Sequence, residues 1–167
     1  MPSTPKENFD IDGFCTVNDL FSVDLVNNAL KQVEDKSPEI LAAEGTIVDI
    51  IDNKRYLRYV PRPHHIIPIL YKFVSSNLLL IASELLEEEV YLIGMDLHCR
   101  NQMSSISTPP HQDSFLWCFK DGHESLVTCY LSLSGMDVNT ASLRFTKGSH
   151  KLQTLQHHPT TIRGFSS

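Results

Sequence analysis

The sequence predicts an α+β protein, with helices in its first half and strands in its second. Three observations carry this. Leu25, Val26, Ala29, Leu30 and Val33 recur at helical spacing, the apolar residues between Ile69 and Leu85 do so over a longer stretch, and Leu126 to Leu133 alternates with a period of two. The change of character falls near residue 89, with no internal repeat, low-complexity tract or linker.

Taken in order, Gly13 to Val17 is a short strand candidate, and Ser22 stands where it would cap the helix that runs on and fades in the charged Glu34 to Lys36. Thr46 to Ile51 is a β-branched run. Pro61 to His65, with prolines flanking Arg62 and a His pair at its end, reads as a loop. A second helix is predicted from Pro68 through Glu88, where Ile69, Leu70, Phe73, Leu78, Leu79, Ile81, Ala82 and Leu85 are apolar and the acidic Glu84 with Glu87 to Glu89 reads as a solvated face. Val90 to Gln102 is a strand candidate that runs into the loop Ser104 to Pro110. Leu126, Thr128, Tyr130 and Ser132 alternate with Val127, Cys129, Leu131 and Leu133, as a half-buried strand requires. Gly135 to Thr140 is turn chemistry, and Ser142 to Thr146 is a further short strand that Gly148 ends.

At 167 residues, 41% hydrophobic and 20% charged, the chain suits one domain with a single core and lacks the profile of a disordered protein. Fourteen Lys and Arg against twenty Asp and Glu give a net charge of -6 without a basic stripe, so no nucleic-acid partner is expected. The longest apolar runs, Leu78 to Ala82 and Phe115 to Phe119, fall far short of the roughly 20 residues that cross a bilayer. No membrane partner is expected either. Met1 to Asn8 is polar and does not read as a secretory signal. Cys15, Cys99, Cys118 and Cys129 are scattered without a CxxC pair, which fits reduced thiols in a cytoplasmic compartment.

The densest chemistry lies at His111-Gln112-Asp113, after Pro109-Pro110 and before the aromatic residues Phe115, Trp117 and Phe119. In a strand, residues i and i+2 share a face, so an imidazole and a carboxylate converge while Gln112 points away. Two histidines and one carboxylate hold Fe(II) on one face of an octahedron and leave positions open for a co-substrate and dioxygen. His111 and Asp113 supply two of those three groups. On spacing alone, such a triplet more often marks a solvated loop.

Beyond the alternating segment come Asp137 to Phe145 and then Lys147-Gly148-Ser149-His150-Lys151. This order, together with Phe9-Asp10-Ile11-Asp12-Gly13-Phe14 near the N-terminus, resembles the phytanoyl-CoA dioxygenase family of Fe(II)/2-oxoglutarate oxygenases from about residue 9 to residue 151. HQD and GSHK are the most specific matches. The resemblance implies a double-stranded β-helix (jelly-roll, cupin-like) core behind N-terminal helices, in one domain over residues 1–167 with a helical and mixed part to 89, a β core over 90–151 and a tail over 152–167. It implies Fe(II) held by His111 and Asp113, with 2-oxoglutarate beside Tyr130, Gln102 and His98. Phe115 and Trp117 would wall the substrate, unless they simply pack in the sheet. Retention of Asp113 separates the chain from related halogenases, which lack that carboxylate. GSHK would be structural, Gly148 giving the permissive backbone and His150 bonding within the loop.

Some features depart from the family pattern. Thr140-Ala141 replaces Asn-Gly, and Lys147 replaces Pro. The family's second metal His and its 2-oxoglutarate-binding Arg lie well past GSHK, whereas this sequence ends at Ser167. The expectation is therefore a core lacking its closing C-terminal strands, with the sequence a fragment or splice form of a longer oxygenase. His157, His158 and Arg163 fall in a stretch without a strand pattern and read as surface residues, with a third-ligand role for either His as the alternative. The leading function is a dioxygenase that hydroxylates a small organic or acyl substrate with dioxygen, releasing succinate and CO2. The alternatives are a non-catalytic truncated isoform or remnant acting through a protein partner, and a cupin-like metal protein of different chemistry. Substrate identity and oligomeric state are not legible, although Arg58, Arg62, Lys72 and Arg100 offer local positive charge to an anionic substrate.

Overall fold

The computed structural model describes residues 4–100, 108–113, 125–135, 142–152 and 155–158. They gather into two compact units, one from the spans Met1–Thr16, Ser105–Cys129 and Arg144–Ser167, the other from Val17–Ser104 and Tyr130–Leu143.

The second of these units holds the apolar core. Helix α2 (Val23–Asp35) starts where Ser22 Oγ accepts from the Leu25 amide at 3.3 Å, as its N-cap position requires. Its apolar stripe buries Ala29 and Val33. Helix α3 (Ser37–Ala42) adds Ile40, and strands β1 (Ile47–Ile51) and β2 (Lys54–Pro61) follow as an antiparallel hairpin. Asp52 and Asn53 join them, both left-handed at φ 50° and 59°, the pairing a two-residue turn of the twist-compatible kind needs. Strand β3 (Asp96–His98) pairs with the far side of β2, giving a sheet of order β1-β2-β3.

The predicted loop Pro61 to His65 contains a single 3-10 turn, Pro63–His65. The predicted long helix forms over its full apolar extent as α4 (Ile69–Phe73), a π turn (Val74–Leu78) and α5 (Leu79–Leu86). Ile40, Val60 and Ile67 are fully buried, and Phe73 meets Phe21 edge to face with ring centroids 4.8 Å apart. Leu131 and Leu133 pack against the same cluster.

The β half differs from expectation. Of Val90 to Gln102, only Asp96–His98 pairs as a strand among the described residues. Neither Leu126 to Leu133 nor Ser142 to Thr146 joins a ladder there, and the expected turn between them includes residues 136–141, outside the described residues. Leu131 and Leu133 are half-buried against the core, whereas Cys129 of the same set is exposed, because a period of two specifies faces and not which backbone supplies the hydrogen bonds. The described residues thus make a mixed helix and sheet protein with a small antiparallel sheet, and no double-stranded β-helix is visible among them. Among them, too, no helix is long and apolar enough to cross a membrane.

Tyr59 on β2 gives the sheet a pH dependence. Its hydroxyl donates to Asp96 Oδ1 at 3.0 Å, and burial first, then that bond and the Asp96 charge, push its pKa up to about 12. An unfolded tyrosine ionises near pH 10. The folded state therefore keeps the proton longer, so this contribution is whole below pH ~10 and is lost as pH climbs toward ~12. Urea unfolding across that interval is expected to show a steeper loss of stability in the parent than in Tyr59→Phe; equal slopes would refute the assignment.

In the other unit, the segment read as strand from Gly13 to Val17 is instead the exit of a helix, α1 (Pro5–Asp12). A reciprocal cap starts it: the Glu7 amide donates to Thr4 Oγ1 at 3.2 Å, and the Thr4 amide donates to Glu7 Oε2 at 2.7 Å. Gly13 ends it in the left-handed region at φ 85°. The GSHK segment grips this end. The Gly148 amide donates to Asp12 O at 2.8 Å, Lys147 Nζ lies 2.6 Å from Asp12 Oδ2, and Phe14 stacks on Phe145 at 4.9 Å. His150, expected to bond within its own loop, instead donates from Nε2 to Asp10 O at 3.2 Å. Lys147, a departure from the usual proline, thereby gains an ion-pair partner.

A Cβ added at Gly13 would overlap the His150 ring, and the left-handed backbone disfavours any side chain there. Gly13→Ala is expected to cost about 1–3 kcal/mol in chemical denaturation. Adding His150→Ala should return the part due to overlap and leave the backbone part, so a double variant no better than the single would argue against the contact.

Candidate metal centre

His111 and Asp113 meet in the unit that holds α1. Neither His111 nor Gln112 belongs to a strand, so irregular backbone, not a pleat, brings the two side chains together. His111 Nδ1 lies 2.8 Å from Pro109 O. A carbonyl oxygen only accepts, so Nδ1 carries a proton, which leaves Nε2 as the ring nitrogen a metal ion would use. Nε2 faces Asp113 Oδ1 at 3.2 Å, and Asp113 Oδ2 accepts from Thr128 Oγ1 at 2.6 Å. The side chains are 23% and 40% exposed, which leaves the pair within reach of an ion from solvent.

This donor set fits a divalent cation. Two protein donors each about 2.1 Å from one ion and at right angles stand about 3 Å apart, close to the observed spacing. A ligand His commonly donates its other ring proton to a backbone carbonyl, which fixes tautomer and ring angle together, as Pro109 does here. The pair would supply two of the three ligands of a facial triad. Among the described residues no group of three His, Cys, Asp or Glu side chains could hold a metal ion.

Gln112, between the two, is held from the other side. Its amide donates to His157 Nε2 at 3.1 Å, its Oε1 accepts from the Leu155 amide at 2.8 Å, and His157 Nδ1 donates to Leu155 O at 2.8 Å. His157 is thus no plain surface residue, yet its Nε2 lone pair is directed at a backbone amide. It braces the His-Gln-Asp turn.

The remaining candidates are spread out. His98 lies on β3 opposite Tyr59, ring centroids 5.3 Å apart, and Tyr130 is 46% exposed; both belong to the unit that contains the sheet. Arg58 faces Asp49 at 3.8 Å, so part of the expected positive charge is matched. Gln102, Phe115 and Trp117 lie outside the described residues. Thr128 and the bracing role of His157 escaped the sequence reading. Thr128 carried only the signal of alternation, and nothing local links a residue to a partner 15 or 45 positions away.

A convergent imidazole and carboxylate in a His-x-Asp turn is the arrangement that metal-dependent oxygenases build on. The family model of the phytanoyl-CoA dioxygenases matches residues 9–164, and the chain belongs to that family. Its members are cupin-like and generally depend on Fe(II) and 2-oxoglutarate, so the chain belongs with the dioxygenases as a class. No curated protein and no solved structure gives a significant match.

Proposed function

We propose that this chain is an Fe(II)/2-oxoglutarate-dependent dioxygenase that hydroxylates a small organic or acyl substrate, releasing succinate and CO2. The observation that supports it most is His111 Nε2 set 3.2 Å from Asp113 Oδ1 while Nδ1 of the same ring is anchored on Pro109 O. His111 and Asp113 would hold the iron. When bound, iron with 2-oxoglutarate and dioxygen supplies the oxidation that turns a C–H bond into an alcohol. The chain's part is to orient. Pro109 O sets the His111 ring, and Gln112 with His157 holds the turn that carries both ligands. The family resemblance extends this reading to Tyr130, Gln102 and His98 as 2-oxoglutarate-binding residues, to Phe115 and Trp117 as substrate-binding residues, and to a jelly-roll domain over residues 1–167.

The test is anaerobic Fe(II) titration with and without 2-oxoglutarate, followed by succinate measurement in air. A weak visible charge-transfer band that needs both components, with succinate formed on admission of air, is the expected result. A folded chain that gives neither band nor succinate would overturn the reading and favour the non-catalytic alternative.

A further inference from the structure

The two oxygens of Asp113 have different neighbours. Oδ1 faces His111 Nε2 at 3.2 Å, while Oδ2 accepts from Thr128 Oγ1 at 2.6 Å. We propose that Thr128 is a positioning residue that locks Asp113 as a one-oxygen metal ligand, an inference that rests on the reading of His111 and Asp113 as the metal-holding pair.

An aspartate carboxylate turns about a broad, roughly two-fold torsion, so unrestrained it offers a cation either oxygen or both. Two-oxygen binding would fill an extra coordination position, and a three-ligand face is useful only while the opposite positions stay open. A hydroxyl-to-carboxylate bond of 2.6 Å lies in the short, charge-assisted range, strong enough to select one rotor position. It draws Oδ2 aside and leaves Oδ1 beside the imidazole. The hydroxyl is itself well aimed, because a β-branched side chain has a stiff first torsion. The backbone adds little freedom, since the Gln112 amide is bonded to His157 and its side chain to Leu155. Among the described residues, Thr128 supplies the hydrogen bond that restrains the Asp113 torsion from the side away from His111.

The test uses Co(II) as an oxygen-stable probe and compares the parent with Thr128→Val, which keeps the shape and removes the hydroxyl, and Thr128→Ser, which keeps the hydroxyl. Co(II) affinity is read by titration, and coordination by the visible d–d absorption. Loss of a group that orients a ligand typically weakens metal binding about 10–100-fold. Thr128→Val is expected to fall in that range with a changed d–d spectrum, and Thr128→Ser to stay within about threefold of the parent, the three metal-free unfolding midpoints remaining alike. Should the Val variant fail to fold, Thr128→Ala carries the same comparison. Parental affinity and spectrum in the Val variant, or a Ser variant as weak as Val, would overturn the positioning role alone. A loss of binding matched by a lowered metal-free midpoint would assign the hydroxyl to folding and also overturn it. A folded parent that takes up no Co(II) overturns the metal reading and this inference with it.

Discussion

Asp113→Ala is expected to abolish Fe(II)-supported succinate formation and to weaken metal binding by more than about 100-fold. The lower bound follows from the 10–100-fold loss that attends removal of a group merely orienting a ligand; removing the ligand itself must exceed it. Without the carboxylate, His111 keeps its Pro109 anchor through Nδ1, but a single imidazole donor has no negative charge to offset the ion's lost hydration. Folding should hardly change. Asp113 is 40% exposed, its contacts to His111 and Thr128 are at the surface, and exposed pairs of this kind contribute about 0–1 kcal/mol. His111→Ala should lose the same two activities with equally small effect on unfolding. Isothermal titration with Co(II), a succinate assay and a urea melt on each variant check all three statements. Unchanged turnover in either variant would remove the pair from the mechanism.

The largest effect on stability is expected at Phe73. It is 3% exposed, sits at the end of α4 in the core cluster, and meets Phe21 at 4.8 Å with planes 81° apart. Truncation to Ala removes a ring from a packed site that can collapse only in part, costing about 3–5 kcal/mol. Some of that loss is the edge-to-face contact, about 0.5–1.5 kcal/mol beyond buried area. Denaturation of Phe73→Ala, Phe21→Ala and the double variant separates the pair from the rest, since contacting residues do not add. Losses below about 1 kcal/mol at Phe73 would mean that the cluster does not hold the sheet-containing unit together.

The helices were legible because their information is local. Ser22 with the 3.6-residue spacing of Leu25, Val26, Ala29 and Val33 specifies both the start and the buried face of α2. The long apolar spacing from Ile69 to Leu85 specifies α4 and α5, though nothing in it foretold the intervening π turn. Helix α1 was missed although Thr4-Pro5-Lys6-Glu7 carries its reciprocal cap, because its eight residues bury no side chain and so show no apolar stripe. The hairpin was less legible: Asp52-Asn53 suits a left-handed pair, but the charged start of β2 does not resemble a strand.

By itself, then, the sequence determined the mixed helix and sheet class and the family, and it pointed to His111 and Asp113 as the pair on which the proposed metal chemistry rests. Those follow from residue identity and short spacing. Tertiary structure decided that Pro109 sets the His111 tautomer, that Thr128 takes one oxygen of Asp113, that His157 braces the turn through Gln112, and that His150 reaches back to α1. A hydrogen bond needs two groups within about 3 Å in one orientation. Where those groups lie 15, 45 or 140 positions apart, only the path of the folded chain brings them to that distance.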